Sequence, residues 1–160
     1  VARAIAALPN STQGVVICAP AWRDEVTKLL AGHTGIEVIP PTTELPALLA
    51  TTDIAVSAAG TSSWELCTLG IPSILVEVVD NQTESLREMT RRHLVIGLSP
   101  ADFDGDELTG ALTVHLNDLA TDESHRKQLS LACAEMFDGN GAKRVVEAMA
   151  DITASDQARG

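Results

Sequence analysis

Positive charge is what this chain has least of: 11 Lys and Arg stand against 22 Asp and Glu over 160 residues, a formal net charge of -11. No Lys/Arg cluster offsets that balance. A nucleic-acid or anionic-membrane surface is therefore not expected, because a phosphate backbone would be repelled. Aromatics are almost as scarce, with 2 Trp, 2 Phe and no Tyr, which argues against the stacking platforms of single-strand binders. The 3 cysteines, Cys18, Cys67 and Cys133, have no C-x-x-C spacing and fall inside apolar segments. They read as reduced core residues of a cytoplasmic protein. No apolar run approaches a membrane span, and no basic segment followed by an apolar one opens the chain, so neither a span nor a secretory leader is expected.

What is present is a strict alternation of short apolar runs and amphipathic stretches. A helix over about residues 1–8, closed by Pro9-Asn10, precedes an apolar strand at Gly14 to Ala19. Helices are then predicted at 22–33, 43–52 (with Thr43 as cap), 62–69 and 82–92. Strands fall between them at 35–39, 53–57, 73–79 and 94–98. After Pro100 the strands stop, and helices follow at about 106–118, 122–136 and 140–153. Apolar positions from Leu108 through Leu112, Val114, Leu116, Leu119, Leu129, Ala132 and Cys133 to Met136 mark a face that packs on the sheet or on a neighbouring domain. Such alternation predicts a doubly wound, Rossmann-like α/β domain with a parallel sheet, over 1–155, and a disordered tail at 156–160. A ligand of such a sheet sits outside the C-terminal ends of its strands.

Two polar segments fall there, within the run from Ser57 to Gln82, SAAGTSSWELCTLGIPSILVEVVDNQ. Ala59, Gly60, Thr61, Ser62 and Ser63 are small residues at a strand-to-helix turn. Backbone N–H groups can approach an anion there, and the helix N-terminus favours negative charge without a lysine. Glu65 follows about one turn later, in reach of the hydroxyls of a ribose attached to that phosphate. Gly70-Ile71-Pro72 reads as a glycine C-cap followed by proline. The same residues have a second reading. Ser62-x-x-Glu65 is a capping box, as is Asn81-x-x-Glu84, and capping accounts for both without a ligand.

The run SAAGTSSWELCTLGIPSI, a following strand and then Asp80-Asn81-Gln82 resemble the C-terminal half of GT-B-type nucleotide-sugar proteins. The nearest resemblance is to the UDP-sugar hydrolases of pseudaminic acid and spore-coat polysaccharide synthesis in bacteria. The segment Asp138-Gly139-Asn140-Gly141-Ala142-Lys143-Arg144 is similar to the DGxGAxR stretch that opens their last helix. A more distant resemblance is to the N-acetylglucosaminyltransferase of peptidoglycan precursor synthesis, through the glutamate, Gly70-Ile71-Pro72 and the spacing back through Leu45 to Asp53. The resemblance implies that Ala59 to Ser63 hold a diphosphate, that Glu65 holds the ribose and that the backbone near Thr42 meets the uracil. Asn81 and Gln82 would face the sugar. Ala59 departs from the family, where a second glycine is common; if positive φ or very close approach were needed there, alanine would weaken binding.

A further departure lies at the start. Val1, Ile5 and Leu8 open a helix with no strand before it, whereas the relatives begin this domain with a strand and a Gly-rich loop and carry the hydrolase's catalytic histidine in an N-terminal domain. The expectation is thus a fragment whose sheet lacks a central strand, with a UDP-sugar as ligand, the N-terminal GT-B domain as partner and no catalytic residue of its own. The implied reaction is hydrolysis of a UDP-linked deoxy amino sugar. The alternatives are a glycosyltransferase donor domain, a non-catalytic UDP-sugar-binding subunit that needs a partner chain, and a Rossmann-like domain with an unrelated ligand. No cofactor and no metal site is expected. Asp102, Asp104 and Asp106 lack the glycine placement and closing glutamate of a calcium loop. The 4 histidines, His33, His93, His115 and His125, are scattered and read as surface or helix-end residues.

Overall fold

The computed structural model describes the backbone of residues 1–157 and the side chains of residues 1–150. Five short strands are all parallel to their partners: β1 (Gly14–Ile17), β2 (Ile36–Ile39), β3 (Ala55–Ala58), β4 (Ser73–Val76) and β5 (Ile96–Leu98). The helices are α1 (Ala2–Ile5), α2 (Arg23–Leu29), α3 (Leu45–Leu49), α4 (Ser62–Thr68), α5 (Thr83–Arg91), α6 (Glu107–Thr121), α7 (Glu123–Met136) and α8 (Gly141–Gln157). The tail expected at 156–160 falls, for residues 158–160, outside the described residues.

Strand β4 organises the fold. Its Ile74 and Leu75 are both 0% exposed, and because successive side chains of a strand point to opposite faces they enter different cores. Leu75 packs with Leu66 and Cys67 of α4, Leu86 and Met89 of α5 and Cys133 of α7. Ile74 packs with Ala4 of α1, Leu98, and Leu112, Leu116 and Leu119 of α6. Helices therefore cover both faces, as a doubly wound domain requires. Of the apolar positions predicted on the last helices, Leu112, Leu116, Leu119, Leu129 and Cys133 are buried, while Val114 and Met136 are exposed.

The sheet is divided. β1 pairs with β2 from Gly14↔Ile36 to Ile17↔Ile39, and β3, β4 and β5 form a separate three-stranded sheet. Between the edges of β1 and β3 runs a groove of about 1400 Å3.

Several elements are shorter than predicted, each for a local reason. α1 is regular only to Ile5; Ala7 and Leu8 then donate to carbonyls three residues back as the chain turns toward Pro9. α2 starts after a 3₁₀ turn at Pro20–Trp22 and ends at Leu29. β4 stops at Val76, because the Gln82 side-chain oxygen takes the Val78 N–H at 2.9 Å and turns the chain out of the sheet. α3 is preceded by Glu44 rather than capped by Thr43; the Thr42 hydroxyl accepts the Glu44 N–H at 3.0 Å. The end of α4 is as read: Gly70 has φ +66°, its N–H bonds to the Cys67 carbonyl and the Ile71 N–H to the Leu66 carbonyl, both at 3.0 Å. This is the Schellman arrangement, which satisfies the last helical carbonyls.

The cysteines are free and buried. The Cys67 thiol is pushed well above its ordinary value, first by its hydrogen bond to Cys133 and then by burial, which keeps it a protonated core group. Of the surface or helix-end place expected of it, His33 takes the second: it follows the end of α2 but is only 8% exposed, and its Nε2 lies 3.1 Å from the Ala6 carbonyl at the end of α1. Leu75→Ala removes the residue around which α4, α5 and α7 close. The expected loss is about 2–5 kcal/mol of unfolding free energy, measured by urea denaturation; a loss below about 1 kcal/mol would remove β4 from the centre of the core.

Candidate functional site

The rim at the C-terminal ends of β3 and β4 carries the residues singled out by sequence. β3 ends at Ala58, Ala59-Gly60-Thr61 form the turn, and α4 begins at Ser62. Within this turn the amides divide into two groups. The Ala59 N–H continues the ladder to the Val76 carbonyl at 2.9 Å, and the Ser63 N–H reaches the Gly60 carbonyl at 3.1 Å. Those of Gly60, Thr61 and Ser62 have no hydrogen-bond partner among the described residues. Three adjacent unpaired donors at a helix start are the chemistry an anion needs.

Neither capping box forms. The N-cap of α4 is Thr61, whose side chain makes no capping bond, and Ser62 is already helical. Glu65 is exposed, and its carboxylate makes no hydrogen bond or ion pair among the described residues. Likewise the N-cap of α5 is Gln82, after a 3₁₀ turn at Asp80–Gln82, and no side chain caps it. The reason is the same at both starts: the turn places the first helical residue one position away from where the S/N-x-x-E spacing needs it.

The other expected contacts resolve unequally. Ala59 is buried with Leu66 and Leu75 and has no positive φ, so its side chain faces the core and its amide is already used. The Ser63 hydroxyl is buried without a partner rather than displayed at the rim. Thr42 spends its hydroxyl on the turn into α3, while its backbone N–H and C=O make no hydrogen bond among the described residues. Gln82 and Gly60 are neighbours: a Cβ on Gly60 would lie 3.6 Å from the Gln82 Nε2. The two polar segments thus meet at one rim, although half of the Gln82 amide is occupied by Val78. Asn81 is exposed beside it.

Ser62 and Glu65 line the groove between β1 and β3, together with Cys18, Ala19 and Trp22 across it. Trp22 is 60% exposed, and sequence reasoning passed it over. Its position just after a strand, in Pro20-Ala21-Trp22, is the signal that marks it, since ligands collect at strand C-termini. Arg126 is the groove's one lining Arg or Lys among the described residues, and it donates to the Leu119 and Ala120 carbonyls. An anion at Gly60–Ser62 is therefore met by backbone dipoles rather than by a side-chain cation. No metal-binding group of His, Cys, Asp or Glu occurs among the described residues, the Asp102–Asp106 turn included. His93, His115 and His125, far apart in sequence, line one pocket of about 430 Å3 behind β5. No helix among the described residues is long and apolar enough to cross a membrane.

The Asp138 to Arg144 segment opens α8 through one carboxylate. Asp138 accepts from the Asn140 N–H at 2.9 Å and from the Arg144 guanidinium at 2.6 Å. The Arg144 hydrogen bond, with the Asn140 amide second, holds Asp138 at about 2. Because the folded value lies below the unfolded one, near 3.9, the contact contributes above that value and is lost as pH falls through about 2. The NMR shifts at the start of α8 should hold from pH 7 to about 3 and change as pH falls through about 2. Asp138→Asn should abolish that transition; its persistence in the variant would assign it to another group.

No protein-family model matches the chain. Among curated proteins it is similar to the UDP-N-acetylglucosamine–N-acetylmuramyl-(pentapeptide) pyrophosphoryl-undecaprenol N-acetylglucosamine transferase of Leuconostoc citreum, 32% identical over 119 residues, 68% of this chain and 32% of the relative. The transferase of the same name from Listeria monocytogenes is 27% identical over 135 residues, 81% of this chain and 36% of the relative. The chain spans about a third of the length of these relatives. Among solved structures, it superposes on MurG of Acinetobacter baumannii with a TM-score of 0.76 at 13% identity, over 94% of this chain and 44% of that one. A UDP-N-acetylglucosamine 2-epimerase of Listeria monocytogenes gives 0.73 at 18% identity, over 96% of this chain and 40% of that one. The fold is the Rossmann-like half of a GT-B enzyme. The relatives named by sequence are glycosyltransferases and not the sugar-nucleotide hydrolases that the motifs had brought to the fore.

Proposed function

We propose that this chain is the donor-nucleotide half of a UDP-sugar-dependent glycosyltransferase. The observation that carries the reading is the set of three unpaired amides at Gly60, Thr61 and Ser62 with an unpartnered Glu65 one turn further on. The amides take the diphosphate, and they keep their value as negative charge grows on the departing UDP, because oriented dipoles need no reorganisation. Glu65 accepts from the ribose hydroxyls, the free backbone of Thr42 meets the uracil, and Asn81 and the Gln82 amide face the sugar. Ala59 and Ser63 shape the loop from beneath. A transferase is preferred to a hydrolase because the relatives matched by sequence are transferases. The acceptor site and the reacting groups come from an N-terminal GT-B domain, so this chain alone turns nothing over, and the setting is the cytoplasm, where UDP-sugars are made.

In the parent protein, UDP should raise the melting temperature, and Glu65→Ala should weaken UDP binding about 10- to 100-fold by calorimetry, the range of a lost hydrogen bond to a charged group. Unchanged affinity would remove Glu65 from the site. Supplied with UDP-N-acetylglucosamine and no acceptor, the parent should release little free sugar, and turnover should appear when a lipid-linked acceptor is added. Rapid acceptor-independent release would return the protein to the hydrolases.

A further inference from the structure

We propose that Glu77 is the positioning residue for the sugar end of the donor site: it pins the loop that carries Asn81 and Gln82. For the sugar this rests on the donor-nucleotide reading; for the loop it rests on hydrogen bonds alone. Glu77 follows β4, and its N–H bonds to the Leu98 carbonyl at 2.9 Å, so its backbone is fixed to β5. Side chains two apart on an extended segment share a face, which sends Glu77 to the side of Leu75 and hence toward α5. There its carboxylate accepts from the hydroxyl of Thr83, the first residue of α5. The Ser99 side chain first, and the Thr83 hydroxyl second, hold the Glu77 carboxyl below its ordinary value, and Arg87 adds to them against burial. Glu77 is therefore an acceptor only. Its Oε2 is sealed from water, so what Glu77 does to a substrate it does through the loop.

Between Glu77 and Thr83 the chain makes a closed clamp. The Thr83 hydroxyl shares its proton between Glu77 and the Asp80 carbonyl, 2.8 Å away, and the Gln82 side-chain oxygen takes the Val78 N–H at 2.9 Å. An amide whose oxygen is fixed in this way has its two N–H donors turned the other way. The Gln82 Nε2 is accordingly the group that stands by Gly60, 3.6 Å from where a Cβ would lie. Val78 and Val79, inside the clamp, are 66% and 51% exposed, so no core holds them and the loop depends on its hydrogen bonds. Loss of the bond between Glu77 and Thr83 frees the loop and with it the aim of Gln82. The turn at Gly60 has separate supports: Ala59 is bonded to the Val76 carbonyl and Ser63 to the Gly60 carbonyl. Glu77 thus acts on the sugar end and leaves the diphosphate end alone.

Hydrogen exchange and donor binding, both measured in the parent protein, test this. Glu77→Ala should speed exchange of the Val78 amide about 10-fold and leave that of Ala59 unchanged. By calorimetry it should lower the ratio of UDP-N-acetylglucosamine to UDP affinity about 10-fold, with UDP affinity itself within about twofold of wild type. Thr83→Val should do the same, and the double variant should be no worse than Glu77→Ala alone, because both changes remove one bond. Glu77→Gln, whose amide oxygen can still accept from Thr83, should keep most of both properties. An unchanged Val78 exchange rate overturns the proposal whether or not UDP binds. Faster Val78 exchange with an unchanged affinity ratio overturns the link to the sugar. If the wild-type parent binds no UDP, the donor-site reading falls and the sugar-end role with it, while Val78 exchange still decides whether Glu77 holds the loop. Should Glu77→Ala not fold, Thr83→Val decides, since it removes the same bond from the other side.

Discussion

The opposite burial of Ile74 and Leu75 is the constraint on which the rest of the molecule depends. Two neighbouring side chains without solvent contact oblige the chain to supply an apolar helix face on each side of β4, and α4, α5 and α7 answer on one side, α1 and α6 on the other. Register follows, since a slip of one residue would exchange the two cores. Once β4 is held, the Ala59 amide can continue the ladder to Val76, and that bond sets where the chain leaves the sheet and where its next three amides stay unpaired. The turn with its three open amides is thus a product of the core rather than an independent motif.

That origin bears on the choice between capping and binding. A capping box satisfies helix-start donors with side chains, whereas here the donors stay open while Ser62 and Glu65 are exposed and unpartnered. Open donors in water cost little, so they are no evidence of strain. Their significance is that the Gly60 turn and the Gln82 amide meet at one rim although 22 positions separate Gly60 from Gln82. Convergence of that kind is produced by the parallel register of β3 and β4 and would be an accident if each helix start were only a cap.

The order of strands and helices was legible in the sequence because apolar runs and glycine or proline breaks are local signals. That the two polar segments would meet at one rim was legible for the same reason, as both follow strands. Less legible were features decided by tertiary contacts. The start of α5 moved to Thr83 because a 3₁₀ turn at Asp80–Gln82 precedes it, and the Gln82 side chain binds back to Val78 instead of capping the helix. His33 is buried because it bridges to the Ala6 carbonyl across 27 residues, a partnership no periodicity reveals. Ala59 and Ser63 share the small-residue signature of their neighbours, yet burial separates them from Gly60, Thr61 and Ser62, and only packing shows which member of a polar run faces water.

The same physics separates what this chain holds alone from what it needs. The three-stranded sheet has both faces covered and a central strand buried at Ser73, Ile74 and Leu75, while the two-stranded sheet exposes Val15 and Ile17 of β1. Two-stranded sheets are marginal by themselves, so β1 and β2 lean on α1 and α2 for support. The rim inherits this asymmetry. Gly60 to Glu65 stand on the well-packed side and are preorganised, whereas Trp22 and the end of β1 across the groove stand on the weaker side. On the proposed reading the diphosphate falls to the first of these sides, whose packing this chain supplies itself.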